Sequence, residues 1–243
     1  MIRHFVMLAA VAALGCRAAR VEPLPLFDRS QLVDHAETLA VHVGTWPTGY
    51  TVHQVRVDND SILSTITAFY HDSTTQQVAL TFDIHSLKPR RVRAANSLEM
   101  VDLVYSANRV EGTRVVWSPA GKQDTLAVDV PLDSATLDRR NLLAIVPWLP
   151  LAVGHIFMVS VFDSWTGRVR SVRIAVEKEA RLTVPAGTFR AYRIRLTTPP
   201  IEFMDDQGIF PAIVFVSIGS PRAILRIERP QQDAISVLTS HRP

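Results

Sequence analysis

The chain has 243 residues, of which 47% are hydrophobic and 20% are charged, and its formal net charge is +3. This composition is typical of a globular protein and excludes a disordered or a membrane-spanning chain. Arginines supply nearly all of the positive charge and are dispersed among acidic residues. The sequence therefore offers no basic cluster of the kind that binds nucleic acid.

The N-terminus has the pattern of a signal peptide. Residues 1–16 read MIRHFVMLAAVAALGC, in which a short positive stretch precedes ten apolar residues. Ten residues are too few to span a bilayer, which takes about 20, but they are typical of a secretory signal. We expect a signal peptide at 1–15, a lipidated N-terminus and linker at 16–33, and a single β-rich domain at 34–243.

The signal ends in Ala13-Leu14-Gly15-Cys16, and Cys16 is the only cysteine of the chain. This ending resembles the bacterial lipobox, although alanine stands where leucine is usual. The resemblance implies that the Cys16 thiol carries a diacylglyceryl group, so that fatty chains anchor the protein in a membrane. Arg17, where other lipoproteins carry an inner-membrane aspartate, favours the outer membrane of the cell envelope, facing the periplasm. A plain cleaved signal peptide is the alternative.

Hydrophobic residues alternate with polar ones over long stretches of the chain, as in LTFDIH (80–85) and YRIRLT (192–197). This period of two predicts strands with one buried face and one solvent-exposed face. Residues 211–218, PAIVFVSI, are apolar on both faces and predict a central strand. Residues 30–40 fit a second helix, but 36–44 fit the first strand equally well.

Turn residues separate these strands. Pro-Ala-Gly occurs at 119–121 and at 185–187, and DSWTG occurs at 163–167. Proline presets φ for such a turn and glycine accepts a left-handed position, so each stretch predicts a hairpin turn between antiparallel strands. The predicted hairpins pair residues 109–117 with 122–130 and residues 171–184 with 188–198.

One stretch, DSATLDRRNLLAIVPWL (133–149), places apolar residues at roughly helical spacing after a possible capping residue. It predicts a helix around 134–147. The predicted fold class is therefore all-β: a single strongly curved antiparallel sheet, or half-barrel of hairpins, with one covering helix.

The usual patterns of catalytic chemistry are missing from the sequence. There is no HExxH metal motif, no GxSxG nucleophile elbow and no glycine-rich phosphate loop. Asp83 and His85 would share one strand face, but two residues are at most half of a metal site, because catalytic zinc takes about three protein ligands. We expect no catalytic residue, no metal site and no cofactor.

Four segments then occur in a recognisable order. They are FDIHSLKPRRVRA (82–94), LLAIVPWLPLAVGHIFMVSVFD (142–163), LTVPAGTFRAYRIRL (182–196) and PRAILRIERP (221–230). Together they resemble an uncharacterised family of bacterial exported proteins, the domain of unknown function 3108, over about residues 45–230. The resemblance implies a β-rich envelope protein, similar in shape to half-barrel lipoprotein-localisation factors and other lipid-handling proteins. It implies no catalytic residues.

These features predict a non-catalytic envelope lipoprotein that binds a lipid or another apolar envelope component in a curved sheet. The candidate ligand contacts, at a mouth or lid, are Trp46, Trp148, Trp165 and Phe210, although aromatic residues are also common in cores. A structural lipoprotein that binds another envelope protein is the second hypothesis. A hydrolase with a site assembled from distant residues is the third.

Overall fold

The computed structural model describes residues 27–118, 120–133, 136–198 and 211–242. Within these residues, fifteen strands form one sheet. The first eight are β1 (His35–Val43), β2 (Trp46–Val57), β3 (Ser61–Tyr70), β4 (Thr75–Asp83), β5 (Pro89–Ala95), β6 (Glu99–Tyr105), β7 (Arg109–Trp117) and β8 (Gln123–Pro131). The others are β9 (Thr136–Asp138), β10 (Ile156–Asp163), β11 (Arg168–Val184), β12 (Gly187–Thr197), β13 (Ala212–Ser217), β14 (Ile224–Arg229) and β15 (Ala234–Arg242).

The described helical segments are short. One α-helix, α1, covers Leu142–Ile145, and a 3₁₀ turn at Val146–Trp148 continues it directly. Two further 3₁₀ turns lie at Arg29–Gln31 and Pro230–Gln232. The sheet therefore carries almost all of the regular structure in these residues.

The sheet consists of two meanders. Its strand order is β8-β7-β6-β5-β4-β3-β2-β1-β15-β14-β13-β12-β11-β10-β9, so the meanders join where β1 pairs with β15. All neighbours are antiparallel except β9 and β10, which are parallel. The hairpins β7–β8, β10–β11 and β11–β12 confirm the turns predicted from glycine and proline, and β13 is the buried interior strand predicted for PAIVFVSI. Residues 30–44 were compatible with a helix at 30–40 or a strand at 36–44, and the strand is confirmed as β1.

The sheet is strongly curved, as predicted. Fifteen flat strands about 4.8 Å apart would extend about 67 Å. Instead the end of β6, near one edge of the sheet, lies beside β9 at the other edge. The Tyr105 hydroxyl of β6 donates a hydrogen bond of 2.5 Å to Asp138 Oδ2 of β9. On β7, Arg114 Nη1 donates to the Trp165 carbonyl in the β10–β11 loop at 3.3 Å. Burial raises the pKa of Tyr105 well above its usual value, and the Asp138 carboxylate raises it further, so the phenol remains a donor.

Two glycines permit close approach of the backbone of a neighbouring strand. Gly49 on β2 and Gly112 on β7 have φ values of +152° and +151°. A Cβ at Gly49 would lie 1.9 Å from the Phe69 carbonyl oxygen, and one at Gly112 would lie 2.0 Å from the Asp102 carbonyl oxygen. Only glycine accepts both the dihedral angle and the contact, so a side chain at either position would force the paired strands apart.

The core lies inside the curve, around residues 136–151. Trp148 is 1% exposed and meets Phe82 of β4 edge-on, with 5.9 Å between ring centroids. Arg222, in the β13–β14 connection, donates from Nη1 to the carbonyl oxygens of Pro147 and Leu149 at 3.2 and 2.7 Å. This segment therefore contacts β4 of one meander and the β13–β14 connection of the other, and it fills part of the concave face.

The predicted helix exists but is shorter than 134–147. Thr136–Asp138 form β9, and α1 begins only at Leu142. The Asp138 carboxylate accepts the Tyr105 hydroxyl and, at 2.7 Å, the backbone N–H of Arg140, which holds a turn between β9 and α1. The apolar side chains are buried because the sheet encloses the whole segment, so their spacing does not require a long amphipathic helix. Residues 134 and 135 lie outside the described residues.

Replacing a core side chain of this segment should destabilise the protein far more than replacing an exposed one. Leu142 is fully buried, and we expect Leu142→Ala to lower the free energy of unfolding by about 2–5 kcal/mol, because the sheet cannot close around the cavity that is left. Urea unfolding followed by tryptophan fluorescence measures the difference. The matched control is Leu98→Ala at a leucine that is 58% exposed, which should change stability by less than about 0.5 kcal/mol. Equal losses in the two variants would contradict the proposed core.

Candidate functional site

A cavity of about 250 Å³ lies between the concave face of the sheet and α1. Its walls come from β1 to β4, from β14 and β15, and from the segment that carries α1. An apolar cavity of about 150 Å³ is large enough for benzene, so this one has room for a chain of several methylene groups. Its main apolar lining residues are Leu39, Val41, Ile66, Val78, Leu143 and Ile227.

A cation without a carboxylate partner lies at one end of this cavity. Arg229 is the last residue of β14 and lines the cavity together with Tyr70. Burial lowers the pKa of the Arg229 guanidinium, and the nearby Tyr70 opposes this shift. Within the described residues Arg229 makes no ion pair with a carboxylate, in contrast to most arginines of the sheet. Its charge is therefore available to an anion in the cavity.

The two arginines on the α1 side of the cavity are already paired. Arg140 donates to Glu99 Oε1 at 2.7 Å and to Ser164 Oγ at 2.8 Å, and Arg139 donates to Asp163 Oδ2 at 3.1 Å. Glu99 lies on β6 and Asp163 ends β10, so these contacts connect the two ends of the sheet. Arg139 and Arg140 thus hold the wall of the cavity in place.

Three ionisable side chains meet at the other end of the cavity. Glu37 on β1 lies directly opposite His53 on β2, and His35 is on the same face of β1 as Glu37. Glu37 Oε2 is 3.7 Å from His53 Nδ1, whereas Glu37 Oε1 accepts a hydrogen bond from the Ile224 backbone N–H at 3.1 Å. Burial lowers the pKa of His35, although its hydrogen bond with the Val33 carbonyl opposes the shift. All three side chains are buried.

The structure places the predicted ligand contacts elsewhere. Trp148 lies in the core, Trp46 is 76% exposed at the start of β2, and Trp165 stacks on the Arg114 guanidinium at 4.0 Å. Within the described residues, none of these three lines the cavity. Phe210 and the lipidation residue Cys16 lie outside the described residues. The roles assigned to these five residues stay predictions.

Asp83 and His85, considered above as half of a metal site, have other contacts. Asp83 ends β4, and its carboxylate accepts the backbone N–H groups of His85 and Ser86 and the guanidinium of Arg90, the last at 2.7 Å. Burial alone would raise the pKa of Asp83, but the hydrogen bonds from Arg90 and Ser86 hold it well below its usual value. His85 is exposed in the turn that follows. Asp83 therefore stabilises a turn.

Sequence reasoning missed His35, Glu37, His53 and Arg229. The sequence His-Ala-Glu at 35–37 was a usable signal for His35 and Glu37, because residues i and i+2 of a strand lie on the same face. In the helical interpretation of residues 30–40 the same two side chains would point in different directions. The pairing of Glu37 with His53 depends on the register of two strands, which no local pattern shows. The same holds for Arg229, because its lack of a nearby carboxylate in the described residues depends on the whole fold.

A family model now assigns the chain. The model described as "Protein of unknown function (DUF3108)" matches residues 38–212. The chain belongs to this family. The match confirms the resemblance and covers three of the four sequence segments; the fourth, at 221–230, lies beyond it. The DUF3108 family has no established activity, so it indicates no catalytic machinery and transfers no site residue. A search of the curated proteins found no significant match.

Three solved structures are similar to this DUF3108 chain at low sequence identity, one of them with a TM-score above 0.5. A β-barrel-like protein of the family DUF1849 from Brucella abortus superposes with a TM-score of 0.53 at 10% identity, covering 86% of this chain and 97% of its own. A Bacteroides fragilis protein described as exported, with a YmcC-like fold, gives 0.40 at 8% identity, with coverage of 87% and 96%. A Parabacteroides distasonis protein described as a lipoprotein gives 0.37 at 10% identity, with coverage of 90% and 99%. The first of these shows a β-barrel-like fold.

The helical segments of the described residues are three or four residues long. In that part of the chain, no helix is long and apolar enough to cross a membrane.

The contacts of Asp83 predict a pH-dependent contribution to stability. Because the folded protein holds the pKa of Asp83 below the usual aspartate value of 3.8, the contribution is fully present above that value and is lost as the pH falls through the folded-state pKa. We expect Asp83→Asn to lower the free energy of unfolding by about 1 kcal/mol at neutral pH, since the site is partly exposed to solvent. The difference from the unchanged protein should shrink as the pH falls below about 4.

Urea midpoints at neutral pH and at several acidic values measure this effect. Asp58→Asn is the control, because the exposed Asp58 side chain makes no ion pair in the described residues. A stability difference for Asp83→Asn that does not change with pH would show that the Asp83 charge is not responsible.

Proposed function

We propose that this DUF3108 protein is a non-catalytic, lipid-anchored protein of the bacterial cell envelope that binds the apolar chain of an anionic amphiphile. A fatty acid is the simplest ligand of this class. The observation that carries the proposal is the cavity on the concave face, which has apolar walls and, at one end, the cation of Arg229, which makes no ion pair with a carboxylate among the described residues. Ligands commonly bind in such concave sites, under a covering element and with a few polar groups that fix their orientation.

The chemistry of the cavity favours a ligand with two parts. Each methylene group that leaves water for an apolar wall contributes about 0.8 kcal/mol. A carboxylate or phosphate at the Arg229 end would accept charge-assisted hydrogen bonds from the guanidinium, each contributing about 1.5–3 kcal/mol. Part of this gain is offset by the ordering of the chain on binding. An uncharged apolar ligand would leave Arg229 desolvated without a partner, so an anionic one is favoured.

The anchoring part of the proposal rests on the sequence of residues 1–17. Diacylation of Cys16 would hold the cavity close to a bilayer, which is the source of its ligand. Arg17 supports assignment to the outer membrane, facing the periplasm.

A scaffold role, in which the protein binds another envelope protein, is the second candidate. It is favoured by aromatic side chains on the outer surface. Trp46 is 76% exposed, and on β2 the half-exposed Tyr50 stacks on Phe69 of β3 with 4.8 Å between ring centroids. Exposed apolar patches of this kind occur at protein–protein contacts.

Filling the cavity should abolish ligand binding. The purified full-length protein is placed in phosphatidylcholine vesicles that contain a diazirine-bearing fatty acid, irradiated, digested and analysed by mass spectrometry. We expect label on the peptides of β1, β3 and β4 that line the cavity. Ile66→Trp should remove this label, because the larger side chain occupies the space of the ligand. Leu63→Trp is the matched control, since Leu63 is on the outer face of the same strand.

The charge at Arg229 is tested in the same experiment. The free acid should label the cavity peptides more strongly than its methyl ester, and Arg229→Gln should reduce that preference by about tenfold, the effect of about 1.4 kcal/mol. Label confined to the outer surface, or cavity label that persists in the folded Ile66→Trp variant, would contradict lipid binding in the cavity and favour the scaffold role.

Anchoring makes a separate prediction about Cys16. When the full-length chain is expressed in bacteria that are fed an alkynyl fatty acid, the protein should become labelled and stay in the membrane fraction. Cys16→Ser should lose the label completely, because the chain contains no other cysteine. Ala18→Ser serves as the control and should keep it. A fully labelled Cys16→Ser variant, or an unlabelled parent protein, would refute the lipid anchor.

A further inference from the structure

The buried cluster of His35, Glu37 and His53 brings together the donor atoms of a metal site. The two histidines and the glutamate come from neighbouring strands, and one nitrogen or oxygen of each lies within 4.8 Å of those of the other two. The strand register fixes this arrangement, because Glu37 of β1 is directly opposite His53 of β2. The cluster is therefore held by the backbone of the sheet and not by a mobile loop.

Each histidine has one ring nitrogen engaged by a neutral oxygen atom. His35 Nδ1 is 2.9 Å from the Val33 carbonyl oxygen, and His53 Nε2 is 2.9 Å from Ser64 Oγ. These contacts leave His35 Nε2 and His53 Nδ1 to carry lone pairs. Metal-binding histidines show the same pattern, in which the nitrogen remote from the metal donates to a carbonyl, hydroxyl or carboxylate oxygen that fixes the tautomer.

Glu37 points to a ligand that completes the cluster. Its side chain is 1% exposed, yet Glu37 Oε2 has no hydrogen bond with the described residues. The distance of 3.7 Å to His53 Nδ1 is too long for a hydrogen bond. A buried carboxylate oxygen without a partner is unfavourable by at least about 1–3 kcal/mol. A cation bound between Glu37 and the two imidazoles would remove this deficit.

A fourth potential ligand lies beside the cluster. His241 of β15 pairs with Glu37 from the other side, and its ring centroid is 5.9 Å from that of His35. His241 Nε2 is also buried without a hydrogen-bond partner in the described part of the chain. Glu37 Oε2 and His241 Nε2 are thus two buried ligand atoms without hydrogen bonds to the described residues, on adjacent strands.

We propose that His35, Glu37 and His53 bind a divalent transition-metal ion, with Zn²⁺ as the ion that fits best. Two imidazoles and one carboxylate form one of the ligand sets of zinc sites that keep a further position open. Tetrahedral Zn²⁺ with bonds of about 2.0–2.1 Å needs ligand atoms about 3.3 Å apart. The distances between the ligand atoms, which are at most 4.8 Å, would therefore shorten by roughly 1.5 Å at most. Ca²⁺ and Mg²⁺ are disfavoured because they prefer six or more oxygen ligands. This proposal is independent of lipid binding.

Metal titration of the purified full-length protein tests the site directly. After treatment with a chelator, the protein is titrated with Zn²⁺ by calorimetry and with Co²⁺ by visible absorption. We expect Zn²⁺ to bind at one ion per chain and raise Tm, Co²⁺ to show the intense absorption of a four-coordinate site, and Mg²⁺ to cause neither effect. Glu37→Gln, which keeps the size of the side chain, should weaken Zn²⁺ binding by more than about 100-fold, and Ser64→Ala by about tenfold.

His85→Gln is the matched control, because His85 is an exposed histidine distant in sequence from the cluster, and this variant should bind Zn²⁺ unchanged. Circular dichroism establishes that each variant is folded. X-ray absorption of the unchanged protein with Zn²⁺ provides a measurement that needs no variant, and it should show imidazole scattering together with oxygen.

Three results would overturn the proposal. The unchanged protein could show neither heat nor a shift in Tm with Zn²⁺. The folded Glu37→Gln variant could bind as tightly as its parent. His85→Gln could lose the site. Each of these outcomes would leave His53 and Glu37 as an ordinary polar pair in the core.

Discussion

The burial of residues 136–151 inside the curved sheet is the constraint on which the rest of the structure depends. A sheet of fifteen strands with an apolar concave face has to cover that face, and a coiled sheet encloses more volume than its own side chains fill. Trp148, Leu142 and Ile145 supply the missing side chains from a single connection between the two meanders. Fully buried residues of this size each contribute about 1.5–3 kcal/mol. The cavity is the part of the concave face that this segment leaves uncovered.

The same segment explains how the sheet tolerates its two edges. An exposed edge strand offers unpaired backbone groups to other chains, and proteins protect such edges with short strands, charges or proline. The edge strand β9 has only three residues, and β8 carries Asp124 and Asp129 and ends at Pro131. Hydrogen bonds from Tyr105 to Asp138 and from Arg140 to Glu99 hold the strands near the two edges together through side chains. Curvature is thereby fixed without a continuous ladder between β8 and β9.

The sequence predicted those features that arise from local patterns. Period-two alternation located the strands, and glycine at turn positions located three hairpins, because both signals depend only on neighbouring residues. The extent of the helix was wrong because Leu137, Leu142 and Ile145 are buried by the enclosing sheet, and their spacing was interpreted as the face of a helix. The His35–Glu37 pair was missed for a related reason, since its common face exists only when residues 35–43 form a strand. No local sequence pattern identified Arg229, because its proposed role depends on the three-dimensional distance between its guanidinium and the carboxylates of the described residues.

The two ends of the cavity impose opposite requirements on a ligand. Arg229 and Tyr70 lie where β14 and β3 end, level with the end of β1, whereas Glu37 and His53 lie about six residues, or about 20 Å, further along the strands. In the proposed complex, an anionic head group at Arg229 would direct its apolar chain toward Glu37. A charged carboxylate oxygen without a hydrogen bond, such as Glu37 Oε2, is an unfavourable neighbour for methylene groups, because they cannot replace the solvation that it loses on burial. A bound divalent cation would neutralise Glu37 and make the inner end compatible with an apolar chain. The metal site and the lipid cavity are separate proposals, but the charge of Glu37 gives a physical reason for them to occur together.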